Sequence, residues 1–227
     1  MNARLFTLSL PLLLASLCLA QSGAAVNQKD AQGRKQGPWQ RTWAESSQLR
    51  YTGQFKDDKP VGSFTYYSTG GKVESRIDHY AGSKAAHARH YHPDGKLMAE
   101  GRYLGENKDS TWNFYGTDGV LSGTENWKNG KKDGEQTTFF TNGKVTERLH
   151  FADGVQTGKA ELFYPDGTPR YQATYENGAP EGLETYYFAD GKKEIQGKRV
   201  NGVRDGAWLY WNADGSLQVQ VLYGQGT

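Results

Sequence analysis

A single cysteine, two methionines and seven prolines occur in 227 residues. So few cysteines exclude a disulfide-built scaffold. Charge of one sign is also missing, since 27 basic residues against 25 acidic ones leave a net charge of +2. That near-neutrality argues against a nucleic-acid binder, which concentrates basic residues on one surface. Aliphatic side chains are scarce as well: beyond Ala25 there are ten Leu, ten Val and two Ile against 28 aromatics. Ordinary cores are built on Leu, Ile and Val, so a conventional globular core is excluded. A 13% aromatic content excludes a disordered or collagen-like chain in turn. What the chain does hold is glycine, 29 residues, about twice the roughly 7% of an average protein. The composition points to a glycine-rich, all-β protein stapled by aromatic rings.

Met1 to Ala25 reads as an export signal. Arg4 supplies the positive start, Leu5 to Leu19 is almost entirely apolar, and small residues follow. The apolar run is shorter than the ~20 residues a membrane-spanning helix needs. Cys18 and Ala20 fit the small-residue rule for cleavage after Ala20, and cuts after Ala24 or Ala25 also fit. Lipid attachment at Cys18 is the weaker alternative, because Leu17 stands where a small residue is wanted and Ala15 where Leu is usual, and an uncleaved anchor is the other alternative. The expectation is an exported, periplasmic or secreted chain, with residues 1–25 as signal peptide, 26–37 as linker and 38–227 as one repeat domain.

The repeat has a period of 24 residues without insertions. Counting from Pro38, units start at Gly62, Ala86, Ser110, Gly134, Gly158, Gly182 and Gly206. Five residues into each unit stands an aromatic: Trp43, Tyr67, Tyr91, Tyr115, Phe139, Phe163, Tyr187 and Trp211. Nine residues in stands glycine, except at Ser47. Offset 11 is usually aliphatic. Offset 17 is usually aromatic, with His79 and Arg199 departing.

Segments such as Pro93-Asp94-Gly95 and Pro165-Asp166-Gly167 suit a three-residue hairpin loop, with glycine in the left-handed position that follows a type I turn. Such a loop places the aromatic at offset 5 opposite the aliphatic at offset 11. Each unit is therefore expected to be one β-hairpin. The pairs Asn129-Gly130, Asn177-Gly178, Asn201-Gly202 and Asp205-Gly206 would turn the chain back for the next. The expected fold is an elongated single-layer antiparallel meander of about eight hairpins, with closure into a propeller as the alternative. Strict alternation would put offsets 5, 11, 13, 15 and 17 on one apolar face and the even offsets on a solvated one.

The unit Gly206-Ala-Trp-Leu-Tyr-Trp-Asn-Ala-Asp-Gly-Ser-Leu217, followed by Tyr223 and Gly224, resembles the MORN-repeat variant found in many bacterial proteins, including YwqK-type antitoxins. Ser110 to Gly119 with Trp127 and Asn129-Gly130 is similar to it too. The resemblance covers residues 38 to 227. It implies a sheet of stacked hairpins that acts as an interaction module, with toxin neutralisation as one version.

No enzyme constellation is present: there is no Gly-x-Ser-x-Gly elbow and no phosphate-cradling loop. The repeated glycines belong to turns, so no cofactor is expected. Four of the five histidines cluster between His79 and His92. His90 and His92, with Asp94, are weak candidates for a transition-metal site. A second anomaly is the aromatics on even offsets: Phe64, Tyr66, Trp112, Phe114, Tyr186, Trp208 and Tyr210. On a wet face these would form an exposed stripe for a partner, and they are the candidate binding residues. The expected partner is another protein, with lipid or envelope glycan as the alternative ligand and nucleic acid excluded.

Overall fold

The computed structural model describes residues 25–224; the segment read as a signal peptide lies outside them, apart from Ala25. The described chain forms one antiparallel sheet of 18 strands. Strands follow each other across the sheet in chain order, from β1 (Gln28–Lys29) and β2 (Lys35–Thr42) to β17 (Val203–Trp211) and β18 (Leu217–Tyr223), except that β12 (Val155–Gln156) and β13 (Gly158–Phe163) share one position beside β11 (Val145–Ala152). β1 pairs only with β2 and β18 only with β17, so the sheet is open. The segment read as a linker thus holds the first strand and the start of the second.

Two kinds of turn alternate, and the sequence chemistry accounts for both. Within a unit, Gly95 sits at φ 88° and its amide bonds the His92 carbonyl, while the His92 amide bonds that of Lys96. The expected pairing then follows: Tyr67 faces Val73, Tyr91 faces Leu97, and Tyr115 faces Leu121, each just past a bulge. Between units, Asn129-Gly130, Asn177-Gly178 and Asn201-Gly202 have positive φ at both residues, as a type I′ turn requires. Asp205-Gly206 is not such a turn. It lies inside β17, where Gly206 at φ 64° forms part of a bulge.

The first unit is out of phase with the count. Gly37 pairs with Phe55 as Gly62 pairs with His79, so the first unit starts one residue earlier than Pro38. Its hairpin loop is one residue longer, running from Trp43 to Gln48 where the next runs from Ser68 to Lys72. Thr42, not Trp43, therefore faces the aliphatic Leu49. The extra loop residue also explains why Ser47 breaks the glycine pattern.

The two faces are not the ones that strict alternation predicts. At the hairpin bulge the register shifts, so Tyr66 faces Ser75 and Phe64 faces Ile77, while Tyr67 faces Val73. A bulge puts two residues opposite one and so changes the phase of the alternation. Offsets 2 and 4 of the first strand consequently share a face with offsets 13, 15 and 17 of the second. The aromatic at offset 5 points the other way: the Tyr115 hydroxyl donates to Glu100, and that of Tyr187 to Gln172. That second face is a polar ladder, with ion pairs such as Arg89–Asp78 and Arg148–Glu161.

Candidate functional site

The aromatic face is built around a central line formed by offset 15 of one hairpin and offset 2 of the next. Phe64 lies on Gly53, Trp112 on Gly101 and Trp208 on Gly197, so closely that a Cβ on any of these glycines would fall inside the ring above it. The strand carrying each ring has two extra residues opposite the glycine, which let the ring fold down onto the bare backbone. The Trp112 indole N–H donates to the Arg102 carbonyl and that of Trp208 to Lys198, so neither buried ring leaves its polar atom unpaired.

Elsewhere the same line is filled by the reverse arrangement. Ile77 faces Ala88 directly, without the bulge, and Ala86 replaces the bulge glycine there. The two residues absent from the bulge appear in the longer turn that the Tyr80–Ala85 hydrogen bond closes. Leu149 packs on the cluster containing Ala160 in a similar large-and-small match. With no second layer described, these rings and methyl groups are the core.

The candidate stripe therefore has two parts. Phe64, Trp112 and Trp208 are 2%, 1% and 0% exposed, so they are not the exposed stripe expected of them. Tyr66, Phe114, Tyr186 and Tyr210 are half-buried on the same face and flank that floor. All seven are brought together on one surface, which is the apolar face of offsets 13, 15 and 17 and not the solvated face that strict alternation assigns to them.

Two carboxylates interrupt the central line. Glu184 occupies the position of Trp112 and Trp208 and is 2% exposed. The hydroxyls of Tyr171 and Tyr186 each donate to it at 3.0 Å, and the Arg199 guanidinium pairs with it. Burial pushes the Tyr186 phenol up to about 12, with the Glu184 carboxylate adding to the shift, and raises Tyr171 in the same direction. Tyr164, Tyr171, Tyr175 and Tyr186 line an open cleft of about 680 Å³ over this group. Glu125 is the second carboxylate, held by the Trp127 indole N–H at 3.0 Å and by Lys132 at 2.9 Å.

Cations rest on the rings. The Lys108 ammonium lies 4.6, 4.9 and 4.8 Å from the ring centres of Trp112, Phe114 and Trp127. Burial lowers its pKa from the usual lysine value. Lys35 caps Trp39 and Phe55 at 5.3 and 4.6 Å, and Arg204 caps Trp208 and Tyr223 at 4.2 and 5.3 Å. Such contacts contribute about 0.5–2 kcal/mol each, more as water is excluded.

The histidine candidates are not gathered. His90 stacks on Trp112 with 5.8 Å between ring centres, and burial lowers its pKa. His92 Nε2 lies 3.0 Å from the Tyr115 carbonyl, while Asp94 accepts the Lys96 amide. Among the described residues, no group of three His, Cys, Asp or Glu side chains is placed to hold a metal.

Glu184, Lys108 and Arg204 were missed as site residues by the sequence reading. Their signals were present: Arg199 already breaks the aromatic rule at offset 17, and Lys84, Lys108, Lys132 and Arg204 recur at multiples of 24.

An open single-layer sheet of hairpin repeats, with one aromatic and one polar face, defines the class as a repeat scaffold. The MORN repeat variant family matches the chain at residues 86–104, 132–153 and 156–177, and over these segments the chain is similar to that repeat. Repeats of this kind generally serve as scaffolds that bind proteins or lipids. No curated protein matches the chain.

Proposed function

We propose that this chain is an exported, non-enzymatic scaffold that binds another protein across the aromatic face of its sheet. The observation that carries the reading is the cleft at Glu184. Four tyrosines surround an ion pair that is already internally satisfied, on strands held from both sides. Tyrosine offers large, rigid contact area with a polar tip, which is why it dominates protein-binding hot spots. Such a surface needs little ordering on association, and that lowers the cost of binding. Masking a toxin or effector, as an immunity protein does, is the specific form of this reading that the YwqK resemblance suggests.

The test is photo-crosslinking in the native host. A benzophenone amino acid replaces Tyr175 on the aromatic face in one strain and Arg102 on the polar face in another. Mass spectrometry should find a protein adduct at position 175 and none at position 102. Adducts of lipid or glycan alone at position 175 would reject protein binding, and adducts only at position 102 would reject the face.

A further inference from the structure

The two faces differ in how their charges are matched. On the polar face, carboxylates meet cations directly, as in Asp78 with Arg89, Asp109 with Arg102, and Glu135 and Glu161 with Arg148. On the aromatic face, Lys35, Lys108 and Arg204 have no carboxylate within ion-pair distance among the described residues, and each instead rests on a pair or trio of rings. The nearby carboxylates are engaged elsewhere: Glu125 with Lys132, and Glu184 with Arg199. All three cations are half-buried, so a side chain inserted between the rings can reach them. Lys108 makes no hydrogen bond through its ammonium to a described residue, and its three N–H donors remain unspent.

Resting on the protein-binding reading, we infer that the aromatic face takes an extended acidic protein segment whose carboxylates reach Lys35, Lys108 and Arg204. Lys35 is on β2, Lys108 on β8 (Asn107–Tyr115) and Arg204 on β17. With strands about 4.8 Å apart, the first two cations are separated by roughly 29 Å and the last two by roughly 38 Å. At about 3.4 Å per residue, an extended chain of roughly 20 residues crosses all three. A charged ring floor with such sparse cations fits inserted side chains better than a flat anionic bilayer, which is usually met by a cluster of four to eight basic residues.

The probe is fluorescently labelled poly-L-glutamate of about fifty residues, titrated with the chain at low salt. Wild type should bind it. The variant Lys35→Met/Lys108→Met/Arg204→Met should bind about tenfold or more weakly, whereas Arg76→Met/Lys159→Met/Lys198→Met, with the same charge loss on the polar face, should lose less than about threefold. Lys108→Gln alone leaves every ring in place and should weaken binding by about threefold, which keeps the test intact if the triple variant unfolds. Equal losses in the two triple variants, no binding by wild type, or binding only to phosphatidylglycerol vesicles would overturn the inference. A protein partner crosslinked at position 175, but captured equally well by the Lys35/Lys108/Arg204 variant, would sink this inference and leave the protein-binding reading standing.

Discussion

The Trp208 indole lies directly on Gly197 of the preceding hairpin, in the space where any other residue would carry its Cβ. Glycine is therefore required there by packing and not by backbone angle. Gly197→Ala should destabilise the fold by about 1–3 kcal/mol, the usual cost of overpacking a tight core. The double change Gly197→Leu/Trp208→Ala copies the large-and-small match of Leu149 with Ala160 and should recover part of that loss. Denaturant midpoints of the two variants check both expectations.

Ser110 holds the bulge position at φ 60°, where glycine stands in other units. A left-handed backbone costs a non-glycine residue about 1–2 kcal/mol. Ser110→Gly should therefore raise stability by about 1 kcal/mol, although the substitution also loosens the unfolded chain. Gly182, at φ 77° with open space around its Cβ position, gives the converse: Gly182→Ala should cost about 1 kcal/mol. Thermal melts of the two variants should move in opposite directions.

Glu184 depends on Arg199 for charge compensation. Arg199→Met would leave a buried carboxylate without its partner and should cost about 3 kcal/mol or more. Glu184→Ala/Arg199→Met removes both charges and should be less damaging than the single change. A double variant as unstable as Arg199→Met would show that the pair contributes by packing alone. Urea unfolding decides between these outcomes.

The raised Tyr186 phenol gives a pH dependence with a definite sign. Its pKa in the fold is about 12, above the ordinary value of about 10. The fold thus favours the protonated phenol, and this stabilisation is full below pH ~10 and lost as pH rises toward ~12. Tyr186→Phe has no such proton to lose. Between those two pH values its urea midpoint should fall less than that of wild type, and parallel curves would contradict the shift.

Much of the architecture was legible because turns and strand pairing leave local marks. Asn-Gly pairs announced the type I′ turns, and the spacing of Tyr67 from Val73 announced their pairing. Two things were hidden. The extra residue in the Trp43 to Gln48 loop offsets the earlier start at Gly37, so a count of 24 passed through both unchanged. The hairpin bulge reverses the alternation, which placed Phe64, Trp112 and Trp208 on the wrong face. Bulge geometry depends on pairing between strands, and no single strand's pattern carries it. The site was legible only through its exceptions: Arg199 stood out from the aromatic rule, whereas Glu184 gained meaning only once its partners were in place.

In this open layer the aromatic line is at once the core and the floor of the proposed binding face. Small-angle scattering from the purified chain tests this shape most directly. Strands about 4.8 Å apart in a sheet of 18 give a length of roughly 80 Å before twist, and so a radius of gyration above about 20 Å. A compact domain of about 200 residues would give about 17 Å. A value near the compact figure, with a correspondingly short maximum dimension, would contradict the open sheet and the proposed binding face with it.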